Sequence, residues 1–145
     1  MISSTKKEDK ETDNFKTIDM KKIIQTDNAP APIGPYSQAV LSGNTLYTSG
    51  QIAINPVNGE LEMSSIQEET EQVMRNLKAV LEAAEMDFEN VIKSSIFISD
   101  MNNFGEINAV YSKYFDEATA PARETVEVAN LPKFVNVEIS MIAVK

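Results

Sequence analysis

Two arginines occur in the 145 residues, and one of them stands where a guanidinium could do chemistry. Arg123 follows a proline-containing approach (Ala120, Pro121, Ala122) and opens a run of strand formers, whereas Arg75 falls in the middle of a helical pattern. From Arg123 to Val128 the side chains alternate, with Arg123, Thr125 and Glu127 to one side and Glu124, Val126 and Val128 to the other, the period of a half-buried strand. After the break at Asn130, Leu131 and Pro132, the stretch from Asn136 to Val144 alternates again, with Val137, Ile139, Met141 and Ala143 on one face and Asn136, Glu138 and Ser140 on the other. The two runs read as an antiparallel hairpin with a loop of about five residues. With Thr125 opposite Glu138, Arg123 becomes a diagonal neighbour of Glu138 on one face, about 7–8 Å away. That register puts a guanidinium and a carboxylate over one shared patch, and a one-residue slip sends Glu138 to the opposite face. The same two residues could equally be a surface ion pair worth at most about 1 kcal/mol.

The absences narrow the chemistry further. With no Cys and no His, the chain has no cysteine nucleophile, no Ser-His-Asp machinery, no histidine base, no Cys/His zinc site and no disulfide. Acid–base work falls to carboxylates, Tyr, Lys, backbone groups or water. Thirteen basic against 22 acidic residues give a net charge of −9, which repels polyphosphate and anionic membranes alike, and no Lys/Arg stripe offsets it. A nucleic-acid or membrane partner is therefore not expected. No apolar run approaches the roughly 20 residues of a membrane span and the start lacks a signal-peptide core, so a cytoplasmic location is expected.

The length suits one domain with a real core. Residues 1–19 carry KKEDKETD at 6–13 and only four apolar side chains, and read as a flexible extension outside a domain of residues 20–145. Met20–Gln25 is a first strand. Asn28–Tyr36 (NAPAPIGPY), with three prolines and a glycine, is a stiff loop that suits either a binding wall or a connector. Ser37–Leu41 and Leu46–Ser49 are short strands around a turn at residues 42–45, and Asn58-Gly59 signals a type I′ turn. Ser65 with Glu68 forms a capping box that opens the longest helix, whose buried stripe is Ile66, Thr70, Val73, Leu77, Val80 or Leu81, and Ala84. Arg75 lies off the stripe, where Glu71 or Glu82 would pair with it. Val91–Ser99 is a strand with Ile92, Ile96 and Ile98 on one face. Asn103 with Glu106 caps a second helix that turns Phe104, Ile107, Val110, Tyr111, Tyr114 and Phe115 inward. Strands, helix, strand, helix and terminal strands make an α+β layer, a mixed sheet with both helices on one face.

PAR at 121–123, VEVANLPK at 126–133 and VEISMIAVK at 137–145, together with NAPAPIGPY at 28–36 and SGQ at 49–51, closely resemble the signatures of the reactive-intermediate deaminase (Rid, or YjgF) family over about residues 20–145. The resemblance implies a chorismate-mutase-like fold assembled as a homotrimer, with three ligand clefts between neighbours. It implies hydrolysis of reactive 2-enamino and 2-imino acids, such as 2-aminoacrylate and 2-iminobutanoate, to 2-keto acids and ammonia. In that assignment Arg123 clamps the substrate carboxylate, Glu138 polarises the attacking water, and Tyr36 closes the cleft as a third catalytic group. Ser49, Asn108 and Thr125 bind substrate, and no metal or cofactor is called for. The chain departs from the family pattern at Thr125, where well-studied members carry cysteine, and at Glu124, where a small residue is usual. The rival expectation is a trimer that binds small carboxylates as a sensor without catalysis. RNA cleavage, proposed for relatives, is opposed by the acidity, and chorismate mutase activity by the scarcity of arginine.

Overall fold

The computed structural model describes residues 20–145; the extension expected at residues 1–19 lies outside them. Six strands and two helices follow one another: β1 (Lys22–Ile24), β2 (Ala39–Ser42), β3 (Thr45–Thr48), α1 (Ile66–Ala83), β4 (Val91–Ile98), α2 (Phe104–Tyr111), β5 (Ala122–Glu127) and β6 (Val137–Val144), with single 3₁₀ turns between several of them. The strands form one mixed sheet in the order β1-β2-β3-β6-β4-β5, covered on one face by both helices. Val73, Leu77, Val80 and Leu81 of α1 and Ile107 of α2 pack there against Leu46, Ile96, Ile98, Ile139 and Met141. Burying each such Leu or Ile contributes about 1.5–3 kcal/mol, so this interface holds the fold together.

The expected terminal hairpin does not form. β5 pairs parallel with β4 (Ser94 with Arg123, Phe97 with Val126), whereas β6 lies between β3 and β4, antiparallel to both. The reason lies in how much apolar surface each strand carries. β6 alternates buried with half-buried residues and has no exposed position, as a central strand must, whereas β5 is mostly exposed and takes the edge. α2 serves as the crossover that brings β5 back parallel to β4.

Local expectations fare unevenly. α1 begins with half of the expected capping box, the Ser65 hydroxyl accepting from the Glu68 N–H at 3.1 Å without the return bond from the Glu68 side chain, and its stripe is buried apart from a half-buried Ile66. Asn103 makes no side-chain cap; Asp100 instead accepts from Asn102 N–H in the 3₁₀ turn that precedes α2. Ile92 is exposed, because a bulge between Val91 and Lys93 resets the alternation and turns Val91 inward. Around Asn58-Gly59 only Gly59 has positive φ (74°), so the turn is not type I′. It is a wider loop in which Asn55 N–H donates to Glu60 O and Gly59 N–H to Asn55 O, both at 2.8 Å. Arg75 donates to Gln72 Oε1 at 3.3 Å and not to a carboxylate, since Lys113 and Lys78 hold Glu71 and Glu82.

Candidate active site

The two groups expected to share one patch lie on opposite faces of the sheet. Val137, Ile139, Met141 and Ala143 of β6 face the helices, so Glu138 between them faces the other way. Parallel partners share a face, and Arg123 is the partner of Ser94, which is fully buried and accepts the Tyr111 hydroxyl of α2 at 2.9 Å. Arg123 is thus on the helix side and Glu138 on the open side. The misassigned hairpin register is the cause: with β4 between β5 and β6, residues 123 and 138 are no longer cross-strand neighbours.

Each group stands at a cavity of its own. Glu138 borders one of about 330 Å³ with Tyr36, Ser49, Gly50, Gln51 and Ile52. Its floor is the 51–54 segment, which a backbone bridge ties to β6 (Gln51 N–H to Ile139 O, 2.8 Å; Ile139 N–H to Gln51 O, 3.1 Å). Asn76 of α1 holds the same segment from beneath, donating to Ile52 O and Ile54 O at 3.0 and 2.9 Å. The proline-rich wall is stapled by Gln38. Its Nε2 donates to the carbonyls of Thr26, Ala29 and Pro30 while its Oε1 accepts the Thr26 N–H. Tyr36 folds back on this loop, its hydroxyl accepting the Ile33 N–H at 3.2 Å, and Ser49 donates to Ser37 O at 2.6 Å. β6 is anchored from the helix side by Glu69, a wholly buried carboxylate that accepts the Asn136 N–H and Nδ2–H, each at 2.7 Å, and the Val137 N–H at 3.2 Å. Burial pushes the Glu138 carboxyl above the ordinary carboxylate range.

Arg123 borders a second cavity, of about 550 Å³, with Asn108, Tyr111, Ser112, Ala120 and Pro121. Its Nη1 donates to Asn108 Oδ1 at 2.6 Å. Its guanidinium carbon lies 5.1 Å from the Tyr111 ring centre and 5.7 Å from that of Phe104, within cation–π range. Burial pushes the Tyr111 phenol up, with the Ser94 contact and the Arg123 charge acting against it. Thr125 lies on the same face of β5, its Oγ1 buried without a hydrogen-bond partner among the described residues. Glu124 points to the open face, held by Lys93 at 2.9 Å and by Ser95 at 2.5 Å, and so turns away from the Arg123 cavity.

The structure thus brings Tyr36, Ser49 and Glu138 to one cavity and Asn108 and Arg123 to another. Sequence reasoning noted Gly50 and Gln51 within the SGQ motif but gave them no role, and it missed Gln38, Asn76 and Glu69. A polar residue inside an otherwise apolar helical stripe was the available signal for Asn76, one position before Leu77, and for Glu69, just before Thr70. Among the described residues no group of His, Cys, Asp or Glu could hold a metal ion, and no helix is long and apolar enough to cross a membrane.

Known proteins resemble this arrangement closely. The family model described as Endoribonuclease L-PSP matches residues 26–145. A RutC family protein of Synechocystis is 52% identical over 127 residues, covering 85% of this chain and 95% of the relative. The mouse protein named 2-iminobutanoate/2-iminopropanoate deaminase is 45% identical over 126 residues, covering 87% and 93%. Among solved structures, E. coli TdcF with bound serine superposes with a TM-score of 0.81 at 45% identity, covering 86% of this chain and 99% of that one. The E. coli YjgF product gives 0.80 at 46% identity, covering 86% and 98%. Matched over nearly the whole of the described residues, this chain belongs to the RidA/YjgF/L-PSP (RutC) family.

Proposed function

We propose that the protein hydrolyses reactive 2-enamino and 2-imino acids to 2-keto acids and ammonia, working as a homotrimer with an active cleft between each pair of neighbours. The observation that carries this reading is the separation of Arg123 from Glu138. One chain offers a clamp for a carboxylate and a carboxylate for proton handling, but in two cavities on opposite faces of its sheet. A neighbouring copy that sets its Arg123 against the Glu138 cavity makes one complete site. The open face supports such docking, because Ile23, Val40, Tyr47 and Ile142 are successive cross-strand partners and form an apolar row across four strands.

In that cleft the guanidinium takes the substrate carboxylate in a two-pronged contact that lysine cannot reproduce. Asn108 and the two aromatic rings hold the fork before substrate arrives, so little order is lost on binding. Glu138 accepts a proton from water as its oxygen adds to the imine carbon and returns it to nitrogen, giving the carbinolamine. It then takes the carbinolamine hydroxyl proton and passes it to the amino nitrogen as the carbon–nitrogen bond breaks, so the keto acid and ammonia leave and the carboxylate is restored. A carboxyl whose pKa is raised by burial is a stronger base once ionised and a usable acid once protonated, which suits both halves of this cycle. Tyr36 and Ser49 complete the polar wall.

The test is a coupled assay in which a serine or threonine dehydratase generates the imine in the presence and absence of this protein, with ammonia release followed directly. Accelerated release, from a species of three times the 16.0 kDa chain mass by light scattering, is the expected outcome. Ligand binding without faster ammonia release would favour the sensor, and a monomer would remove the shared cleft.

A further inference from the structure

Gly50 sits where the Glu138 side chain comes down onto the cavity floor. A Cβ built on Gly50 would stand 2.7 Å from Glu138 Cδ and 2.9 Å from its Cγ, and nearer still to Oε1. Real Cβ atoms do not approach other atoms that closely, so a side chain here and the present Glu138 conformation exclude each other. Gly50 is not among the glycines with positive φ, so its backbone is open to any residue and what glycine supplies is space. Neither backbone is free to retreat. The paired hydrogen bonds between Gln51 and Ile139 fix the residue after Gly50 to the residue after Glu138. Behind them, Glu69 grips the amides of Asn136 and Val137, and Asn76 grips the carbonyls of Ile52 and Ile54. The conflict would therefore be relieved by the Glu138 side chain rotating out of its seat.

The Glu138 carboxylate has no hydrogen-bond partner among the described residues, and burial is the one cause of its pKa shift. A carboxylate held by donors would survive a small loss of space; one held by packing alone would not. We propose that Gly50 is a positioning residue for the reaction. Its missing side chain forms the seat that aims the Glu138 carboxylate into the cavity, and shape does here what hydrogen bonds do for Arg123. This rests on the deaminase reading for its kinetic consequence, but the contact itself can be tested without any substrate.

The experiment is a cycle of Gly50→Ala, Glu138→Ala and the double variant, read by thermal melting and by deamination of 2-iminobutanoate. Gly50→Ala alone is expected to lower the melting temperature by about 1–3 °C, the lost packing of Glu138, since the atoms in the way belong to a side chain that can rotate. In the Glu138→Ala background, where the seat is empty, the same change is expected to cost almost nothing. Gly50→Ala should also lower kcat by about 10- to 100-fold with little change in KM, because the base is misaimed while the carboxylate clamp is untouched. The acid limb of its pH–rate profile should move toward the ordinary carboxylate range as Glu138 swings toward water. If Gly50→Ala fails to fold and the double variant folds, the steric coupling stands. Equal destabilisation in both backgrounds, or failure of both to fold, would show that something other than Glu138 excludes the Cβ and would overturn the proposal, as would unchanged kcat. Full melting coupling in a protein that releases no ammonia would leave the seat intact and remove the deaminase reading instead.

Discussion

Arg123 and Glu138 are fixed in place by opposite means. Arg123 lies on an exposed edge strand yet is braced, by an amide oxygen at 2.6 Å and by two aromatic rings. Glu138 lies on a central strand among buried neighbours yet has only packing around its carboxylate. A group that must grip an anion identically at every turnover gains from bracing, since each contact removes a rotamer it would otherwise have to leave on binding. A group that must give up and regain a proton is hindered by fixed donors, which would hold it ionised. On the proposed reaction, bracing goes with binding and bare burial with proton transfer.

Removing the unbraced group should have the largest effect on rate. Glu138→Gln is expected to lower kcat by about 10²- to 10⁴-fold, the usual contribution of a positioned acid–base group, with a small change in KM. In the parent enzyme kcat/KM should fall as pH drops through a value above the ordinary carboxylate range. The stability effect runs the other way. A carboxyl whose folded pKa is raised holds its proton longer folded than unfolded, so folding loses stability as pH rises from the unfolded value through the raised one. Glu138→Gln should therefore melt about 1–3 °C higher than the parent at neutral pH, a shift kept small by partial solvent screening. The gain should vanish in acid; a variant less stable at neutral pH would show that Glu138 has partners after all.

The braced group comes next. Arg123→Ala is expected to reduce kcat/KM about 10- to 100-fold from lost binding alone, because charge-assisted hydrogen bonds contribute roughly 1.5–3 kcal/mol. Arg123→Lys should recover only a small part, since the bracing around the fork is matched to a plane of donors. Arg75→Ala, which removes the same charge from the exposed side of α1, should leave turnover of 2-iminobutanoate unchanged. Equal activity of the two alanine variants would put the clamp elsewhere.

Smaller in yield but sharper in meaning is mixing. If each cleft takes Arg123 from one copy and Glu138 from its neighbour, subunits carrying Arg123→Ala and subunits carrying Glu138→Gln, unfolded and refolded together in equal amounts, regain intact clefts. Random assembly gives about a quarter of the parental sites. Mixtures no more active than the separate variants would mean that both residues act within one chain.

Much of this was legible in the sequence, and the part that was not has a definite cause. α1 could be read because an 18-residue amphipathic stretch with a serine cap repeats its apolar signal several times. The stiff loop at 28–36 and the strand pair around residues 42–45 carry their turn chemistry in single residues, and both are present. Arg123, Glu138, Tyr36, Ser49 and Asn108 were singled out, but the hairpin that put Arg123 and Glu138 on one face of one chain was wrong, because alternation says which residues of one strand share a face and nothing about which strand lies beside it. The contrast between ARETVE and VEISMIAV was the missed clue, since a polar strand belongs at an edge and an apolar one in the middle. Bulges and hydrogen-bond caps are set by tertiary partners, which is why Ile92 and Asn103 misled.

The smallest expected effect separates bracing from function. Glu71 on α1 is a braced carboxylate with no part in either cavity: Lys113 Nζ lies 2.8 Å from its Oε1 and the Tyr114 hydroxyl donates to its Oε2 at 2.5 Å. Burial works against its ionisation, but the hydrogen bonds from Lys113 and Tyr114 outweigh it and hold the carboxyl below its usual range. Tyr114 is correspondingly pushed up to about 12, by burial first and then by the carboxylate it serves. A carboxyl with a lowered folded pKa contributes stability that is present above its unfolded value and lost as pH falls through the folded one. Glu71→Gln should therefore cost about 1 kcal/mol at neutral pH, discounted because Lys113 is largely exposed, with the penalty fading in acid. Deaminase activity should be untouched at every pH where the variant is folded. Denaturant melts of parent and variant at neutral and acidic pH measure this directly. If Glu71→Gln instead altered turnover, the link between α1 and the 3₁₀ turn that follows α2 would be part of the machinery that braces Arg123, and bracing could no longer be assigned to Asn108 and the two rings alone.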